Sequence, residues 1–184
     1  RGRGYFVIPE VFTGHWTTRR EIFIYSYFNV FMKFKTKPRL NKDLAEIIGI
    51  MIGDGCIYLD RNKKYQTIIS FNKKEQNYLY YVKKLFEKYF EDYKFCITEI
   101  RNEFLLRNTS VFIGKMLLLA GVFVGEKTKN PAKHPNWVLK NKIILKRFVR
   151  GVFDTDGCVY RKYRNYSQIQ FKFASEKTTK QIHK

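Results

Sequence analysis

The chain has 184 residues, 45% of them hydrophobic, with a formal net charge of +20 and an isoelectric point near 9.9. This composition excludes a disordered chain, and the charge predicts an anionic partner, for which an aromatic content of 17% favours nucleic acid over a membrane surface. Charge alone would also fit a ribosomal protein. Three cysteines without Cys-x-x-Cys spacing predict neither a disulfide framework nor a zinc site, so we expect a cytoplasmic or organellar (mitochondrial or chloroplast) protein that is not secreted.

The first 130 residues are predicted to contain an appendage and one complete lobe. Residues 1–40 show no motif and are interpreted as an N-terminal appendage of unknown role. Asn41 or Asp43 can cap a helix that runs through Ile52 and opens the lobe. The remaining patterns predict, in order, strands at 56–61 and 65–72, a helix at 75–90, strands at 93–101 and 103–108, and a helix capped by Ser110 that ends near Ala120. Residues 41–130 are therefore predicted to fold as αββαββα.

The following residues repeat the beginning of that lobe. A linker at 131–141 leads into a predicted helix at 142–153, and strands are expected at 159–163 and 168–173. The second hairpin of the first lobe has no counterpart. We therefore interpret 142–184 as the incomplete start of a second lobe, and the chain itself as a possible fragment of a longer protein.

The repeat is clearest in one short motif. Residues 49–58 reappear as 151–160, shifted by 151 − 49 = 102 positions, and each copy has small residues four apart followed by Asp-Gly and a strand-like segment. On a helix, Gly49 and Gly53 share a face, as do Gly151 and Thr155, so two such helices could approach closely. An isolated Asp-Gly most often just ends a helix in a turn, but two copies in one register favour a shared site.

The two aspartates of the repeat are the candidate metal ligands. Close packing of the helices would place Asp54 and Asp156 side by side at helix C-termini, where the macrodipole disfavours a carboxylate by about 0.3–1 kcal/mol each. A cation would offset that cost. Mg²⁺, or Mn²⁺, suits carboxylate and phosphate oxygens, so the predicted metal site comprises the two aspartates with the preceding Gly53 and Thr155, and the predicted substrate is a phosphodiester.

These motifs resemble those of the LAGLIDADG homing endonucleases, including the modules of inteins and group I introns. Residues 44–55 look like the first signature of that family, and 148–157 are a closer match to the second. The segments 125–127 and 134–138 are similar to the stretch that precedes the second signature in many members. The resemblance covers about residues 40–175.

The resemblance implies a pseudo-twofold α+β protein whose two signature helices form the lobe interface, with antiparallel sheets making a saddle over double-stranded DNA. Such enzymes cut both strands with metal held by the last acidic residue of each signature, which corresponds to Asp54 and Asp156. Members often place a basic residue after the second strand, which makes Lys73 a candidate catalytic residue. The register-equivalent position in the second lobe is Ser175. Asp154 has Ile52 as its counterpart and is not expected to be catalytic.

The hairpins are expected to contact DNA through their polar faces and tips. Arginine and glutamine suit base edges, whereas lysine more often contacts phosphate. The candidates are Arg61, Lys63, Lys64, Gln66, Arg161, Lys162, Arg164, Gln168, Gln170 and Lys172.

Three other interpretations stay open. The same fold could serve a non-cleaving DNA-binding regulator, an RNA maturase that binds intron RNA, or an inactive fragment, because fold alone does not determine chemistry. Both aspartates favour a nuclease, whereas the missing second-lobe lysine favours lost activity. A full-length protein of this kind would be a monomer with no membrane association.

Overall fold

The computed structural model describes residues 37–60, 64–125, 134–163 and 166–171. Helix α1 spans Lys42–Gly53 and begins at Asn41, whose side chain accepts a hydrogen bond from the Leu44 amide at 2.9 Å. Every residue from Asp43 to Ile52 is buried. A helix that is buried on all sides belongs to the core, so α1 has packing partners around its whole circumference.

The first sheet has four antiparallel strands. These are β1 (Gly55–Leu59), β2 (Tyr65–Asn72), β3 (Cys96–Ile100) and β4 (Glu103–Asn108), in the order β1-β2-β4-β3. Alternate residues of β2 are buried, as period-two patterning predicts, and Leu106 lies opposite Ile69 on the same buried face. The two predicted hairpins are therefore joined by pairing between β2 and β4.

Two helices of the first lobe accompany this sheet. Helix α2 (Gln76–Tyr89) follows a single 3₁₀ turn at Lys73–Glu75, and its Tyr78 ring contacts Phe71 of β2 with centroids 5.9 Å apart. Helix α3 (Val111–Ala120) packs so closely at Gly114 that an added Cβ would lie under 3.0 Å from the side chain of Tyr65. The sheet is thus contacted at both ends of β2.

Some boundaries differ from the sequence prediction. Strand β1 ends at Leu59 and β3 begins at Cys96, so both edge strands are shorter than predicted. Ser110 precedes α3, but its side chain makes no capping hydrogen bond. Asn108 Oδ1 instead accepts from the Ser110 amide at 2.7 Å, which organises the entrance to the helix.

The segment between the lobes is held against the first lobe. The Gly125 amide donates to the Ile57 carbonyl at 2.9 Å, which extends pairing beyond the outer edge of β1. Further along, a 3₁₀ helix spans Asn136–Lys140, and the indole of its Trp137 donates to the carbonyl of Ala120 in α3 at 2.9 Å. These contacts fix where the next helix begins.

Helix α4 spans Lys142–Asp156 and is capped by Asn141, whose Oδ1 accepts from the Ile143 amide at 2.8 Å. It continues past Phe153, where the sequence predicted its end, and includes Asp156. Strands β5 (Gly157–Tyr163) and β6 (Tyr166–Phe171) then form an antiparallel hairpin. The protein is therefore a mixed α+β fold with antiparallel sheets, as predicted.

Within the ranges that the structure describes, no helix is both long and apolar enough to cross a bilayer. Residues 1–36, assigned to the N-terminal appendage, lie outside those ranges.

Candidate metal and nucleic-acid site

The two repeated helices, α1 and α4, cross through backbone contacts at equivalent glycines. A Cβ added at Gly49 would lie under 3.0 Å from the carbonyl oxygen of Phe148, and one added at Gly151 would lie under 3.0 Å from the carbonyl oxygen of Glu46. The equivalent pairs share one offset, because 151 − 49 and 148 − 46 both equal 102. The crossing therefore has an internal twofold symmetry, and the predicted close approach of α1 and α4 is present.

A third contact lies on the symmetry axis itself. A Cβ added at Gly53 would lie under 3.0 Å from the Oγ1 and Cβ of Thr155, and these two positions are equivalents of each other under the same offset. The Thr155 hydroxyl lies 3.1 Å from the Gly151 carbonyl oxygen and 3.0 Å from that of Val152, so its proton is directed into its own helix. The helix ends thus meet immediately before the two aspartates.

The aspartates occupy corresponding places at those ends. Asp54 is the exposed C-cap of α1, where its amide donates to the Ile50 carbonyl at 3.1 Å and its carbonyl accepts from Ser70 of β2 at 3.5 Å. Asp156 is half-buried and is the last residue of α4. Each aspartate follows a residue of the Gly53–Thr155 contact, so the two backbones enter the candidate site from opposite sides of the axis.

The chemistry of this donor set fits an oxygen-preferring divalent cation. Two carboxylates and the carbonyl oxygens of helix ends are hard ligands, and they suit a metal that keeps water or phosphate in its remaining positions. Among the described residues, no group of three His, Cys, Asp or Glu side chains that could hold a metal occurs.

Lys73 is held in an ion pair with Glu99 of β3, the strand at the far edge of the sheet from β1. Its backbone belongs to a capping box, in which Asn72 Oδ1 accepts from the Lys74 amide at 3.0 Å and Glu75 accepts from the Asn72 amide at 2.9 Å. The lysine is 40% exposed. Its proposed action at a phosphate would require the ammonium to leave Glu99, and its catalytic role stays a prediction.

Tyr78 was not among the residues predicted from sequence. Its hydroxyl is buried and has no hydrogen-bond partner among the described residues. Burial raises the pKa of this phenol, and the negative charges of Asp154, Glu46 and Asp54 raise it further, so the group is a neutral donor near several carboxylates. The helical periodicity of 75–90 does not predict a hydrogen-bond donor beside the aspartates, because a tyrosine on an apolar helix face is ordinarily a core residue.

The open face of the first sheet carries part of the predicted DNA-contacting set. Gln66 lies opposite Tyr58, and its amide donates to Asp60 Oδ2 at 3.3 Å, while the Lys64 amide donates to Asp60 Oδ1 at 2.8 Å. Arg107 lies on the same face, opposite Ile68 of β2, and its Nε is buried without a partner among the described residues. The alternation of β4 would have identified Arg107 once its neighbour in the sheet was known.

The second hairpin repeats this arrangement. Tyr160 lies opposite Gln168, as Tyr58 lies opposite Gln66, and the Tyr160 hydroxyl donates to Gln168 Oε1 at 2.7 Å. Cys158 lies opposite Gln170. Arg161 is exposed. The side chain of Lys162 is not described. Four other candidates lie outside the described residues, namely Arg61, Lys63, Arg164 and Lys172.

No protein-family model and no curated protein matches the chain. Solved structures do. A mesophilic variant of the homing endonuclease I-DmoI is 15% identical, covers 65% of this chain and 63% of its own, and has a TM-score of 0.48. A complex of I-DmoI with DNA and Mn is 14% identical, with 65% and 64% covered and the same score. The LAGLIDADG meganuclease I-AabMI, bound to uncleaved DNA, is 13% identical, with 68% and 64% covered and a score of 0.39.

The matched part of this chain thus spans less than two thirds of the length of these neighbours. At such identities and scores, the likeness concerns fold and leaves family membership and activity unassigned.

Proposed function

We propose that this protein is a site-specific, metal-dependent endonuclease of double-stranded DNA, similar to the LAGLIDADG homing endonucleases. The observation that supports this most directly is the symmetric crossing of α1 and α4, which brings Gly53 against Thr155 and so places Asp54 and Asp156 at adjoining helix ends. A chain of net charge +20 supplies the attraction for a polyanion.

The residues of the chain would divide the work by position. Asp54 and Asp156, with backbone oxygens at Gly53 and Thr155, would hold divalent cation between the two helix ends. A bound Mg²⁺ or Mn²⁺ supplies Lewis-acid stabilisation of a phosphodiester and lowers the pKa of bound water. Because the two aspartates are related by a twofold axis, they match the approximate twofold symmetry of the two strands of a duplex.

The sheets would position the duplex. The exposed Arg161 suits phosphate or base contacts, and the cross-strand pairs Tyr58–Gln66 and Tyr160–Gln168 present amides on the two hairpins. Lys73 would donate to the developing phosphate charge in the first lobe after exchange of its Glu99 partner.

The test is cleavage of a genomic DNA library from the source organism in the presence of Mg²⁺ or Mn²⁺, with sequencing of the broken ends. We expect recurrent double-strand breaks at one sequence, lost in Asp54→Asn/Asp156→Asn. Asp92→Asn, an exposed aspartate in the turn after α2, is the matched control and should cut normally. Equal breakage by all three proteins would reject the assigned aspartates.

A non-cleaving DNA- or RNA-binding protein is the second candidate, and the Lys73–Glu99 pair favours it, because that lysine is engaged away from its proposed use. Binding of DNA without cleavage would support a regulator. Tighter binding of intron RNA than of duplex DNA, unchanged in Asp54→Asn/Asp156→Asn, would support a maturase.

A further inference from the structure

A cluster of charged side chains lies beside the glycine contacts of the crossing helices. Glu46 of α1 is fully buried and accepts hydrogen bonds from Arg147 Nη1 of α4 at 2.7 Å and from the Tyr81 hydroxyl of α2. Arg150 Nε lies 3.5 Å from Glu46 Oε1 and 3.4 Å from Asp154 Oδ2, and its guanidinium stands 5.0 Å over the Tyr81 ring. Two carboxylates and two guanidinium groups of α1 and α4 thus balance each other, and the Tyr81 hydroxyl of α2 completes the cluster.

At the twofold-related positions that the structure describes, such charges are absent. The positions equivalent to Glu46, Arg147 and Arg150 are Phe148, Ala45 and Ile48, and all three are buried and apolar. At these three positions the crossing is therefore packed by apolar side chains. Glu46 is fully buried, whereas the side chains of Arg147 and Arg150 are 32% and 48% exposed. Because ion pairs that bury a carboxylate seldom stabilise a fold more than apolar residues of similar volume, stability alone does not explain the charges.

Directional contacts can fix an angle that small residues leave loose. The glycines let the two backbones touch and the Gly53–Thr155 contact joins the helix ends, but contacts between such small residues resist a change of the crossing angle only weakly. Asp54 lies 54 − 49 = 5 residues beyond the crossing contact at Gly49, about 7.5 Å along the helix, so a rotation of about 10° would move the helix end by about 1.3 Å. Metal sites and phosphodiester chemistry are sensitive to displacements of this size.

We infer that Glu46, bound to Arg147 and Arg150, is a positioning residue that sets the angle between α1 and α4 and thereby the separation of Asp54 and Asp156. The functional meaning of that separation rests on the proposed nuclease activity, whereas the separation itself can be measured without DNA or metal.

The chain carries suitable labelling sites. Cys56 and Cys158 are exposed and each lies two residues after one of the aspartates. The remaining cysteine, Cys96, is also exposed and can be replaced by serine. Nitroxide labels at Cys56 and Cys158 in a Cys96→Ser protein would report the relative position of the two helix ends by dipolar EPR.

We expect one narrow distance distribution in this background and a broader or shifted one in Glu46→Gln, measured below the melting temperature of each protein. Arg147→Met provides a second test if Glu46→Gln does not fold. The matched control is Asp43→Asn, since Asp43 is also a buried acid of α1 but pairs with Lys88 of α2, within the first lobe, at 2.7 Å. It should lower the melting temperature and leave the distribution narrow.

The apolar double variant Glu46→Leu/Arg147→Met separates stability from position. It copies the chemistry of the opposite side of the crossing, so it should melt near the background temperature but keep the broadened distribution. An unchanged distance distribution in Glu46→Gln, Arg147→Met and the double variant would overturn the inference and leave the cluster a stabilising one. Absence of cleavage by the unaltered protein, with a distribution that is narrow in the background and broadened in Glu46→Gln, would instead count against the proposed function and leave the positioning role of Glu46 intact.

Discussion

Hairpins β1–β2 and β5–β6 follow the two repeated helices, and their strands pair in the same register: Ile57 lies opposite Thr67, and Val159 lies opposite Ile169. Ile57 and Thr67 are fully buried, whereas Val159 is 59% and Ile169 is 68% exposed. The register of pairing is the same in both hairpins despite this difference in burial, so it is determined by residues within each hairpin. Burial depends on distant elements, since in the first lobe α2 and α3 pack against β2.

The largest expected effect is the difference in stability loss between alanine variants at the equivalent positions Ile57 and Val159. Ile57→Ala should lower the free energy of unfolding by about 2–5 kcal/mol, because it leaves a cavity in a closed core. Val159→Ala should cost less than about 0.5 kcal/mol, because the side chain is already solvated. Urea unfolding followed by circular dichroism measures both. Equal losses would mean that β5–β6 is covered in solution as β1–β2 is.

The next largest effect is expected at the glycine contacts of α1 and α4, which the two halves share. Gly49→Ala and Gly151→Ala should each destabilise the protein by about 1–3 kcal/mol, because each new methyl group would meet a backbone carbonyl of the other helix. The two losses should agree closely if the crossing is symmetric. Ile143→Ala on α4, a 64% exposed side chain, is the control and should have little effect. A large loss in only one glycine variant would refute the symmetry.

A smaller difference between the two hairpins is expected in the free energy of local opening, which amide hydrogen exchange measures. Amides of β2 lie between two paired strands, whereas those of β6 have one paired neighbour among the described strands. We expect the equilibrium constant for local opening to be about tenfold larger for β6 than for β2, which corresponds to a difference of about 1.4 kcal/mol in the free energy of opening. Exchange measured by NMR or mass spectrometry would decide, and equal protection at 65–72 and 166–171 would contradict the expectation.

The smallest expected effect concerns pH and Tyr78 in the better-covered lobe. Its pKa is raised above the ordinary value of 10.0, chiefly by burial, so the unfolded chain releases this proton first as pH rises. The stability that the neutral phenol contributes is complete below pH 10.0 and is lost as pH rises above it. Tyr78→Phe should therefore lose less stability than the unaltered protein between neutral and strongly alkaline pH, measured by urea unfolding.

Sequence patterns predicted the elements whose residues alternate or cap strongly. Helix α1 begins after Asn41, and strands β2 and β4 have the predicted bounds of 65–72 and 103–108. Strand β2 is central and β4 is paired on both sides, so pattern and pairing agree. Edge strands β1 and β3 were predicted too long, because alternation continues into turns that have no partner strand.

The candidate site was predicted only where the repeat itself marked it. The motif located Asp54 and Asp156 and the small residues that precede them. It gave no indication that Lys73 would pair with Glu99 or that Glu46 would meet Arg147, 101 positions away. Such pairs depend on how sheet and helices are placed in space, and a single sequence does not encode that placement as a local pattern.

The contact between Gly53 and Thr155 restricts how this chain could be divided. A threonine at both positions would put two side chains in one place, since even a single added Cβ at Gly53 would overlap Thr155. An assembly of two identical halves could place at most glycine-sized residues there. A hydroxyl at this point therefore requires two unlike halves, which a fused tandem chain provides and a symmetric homodimer does not.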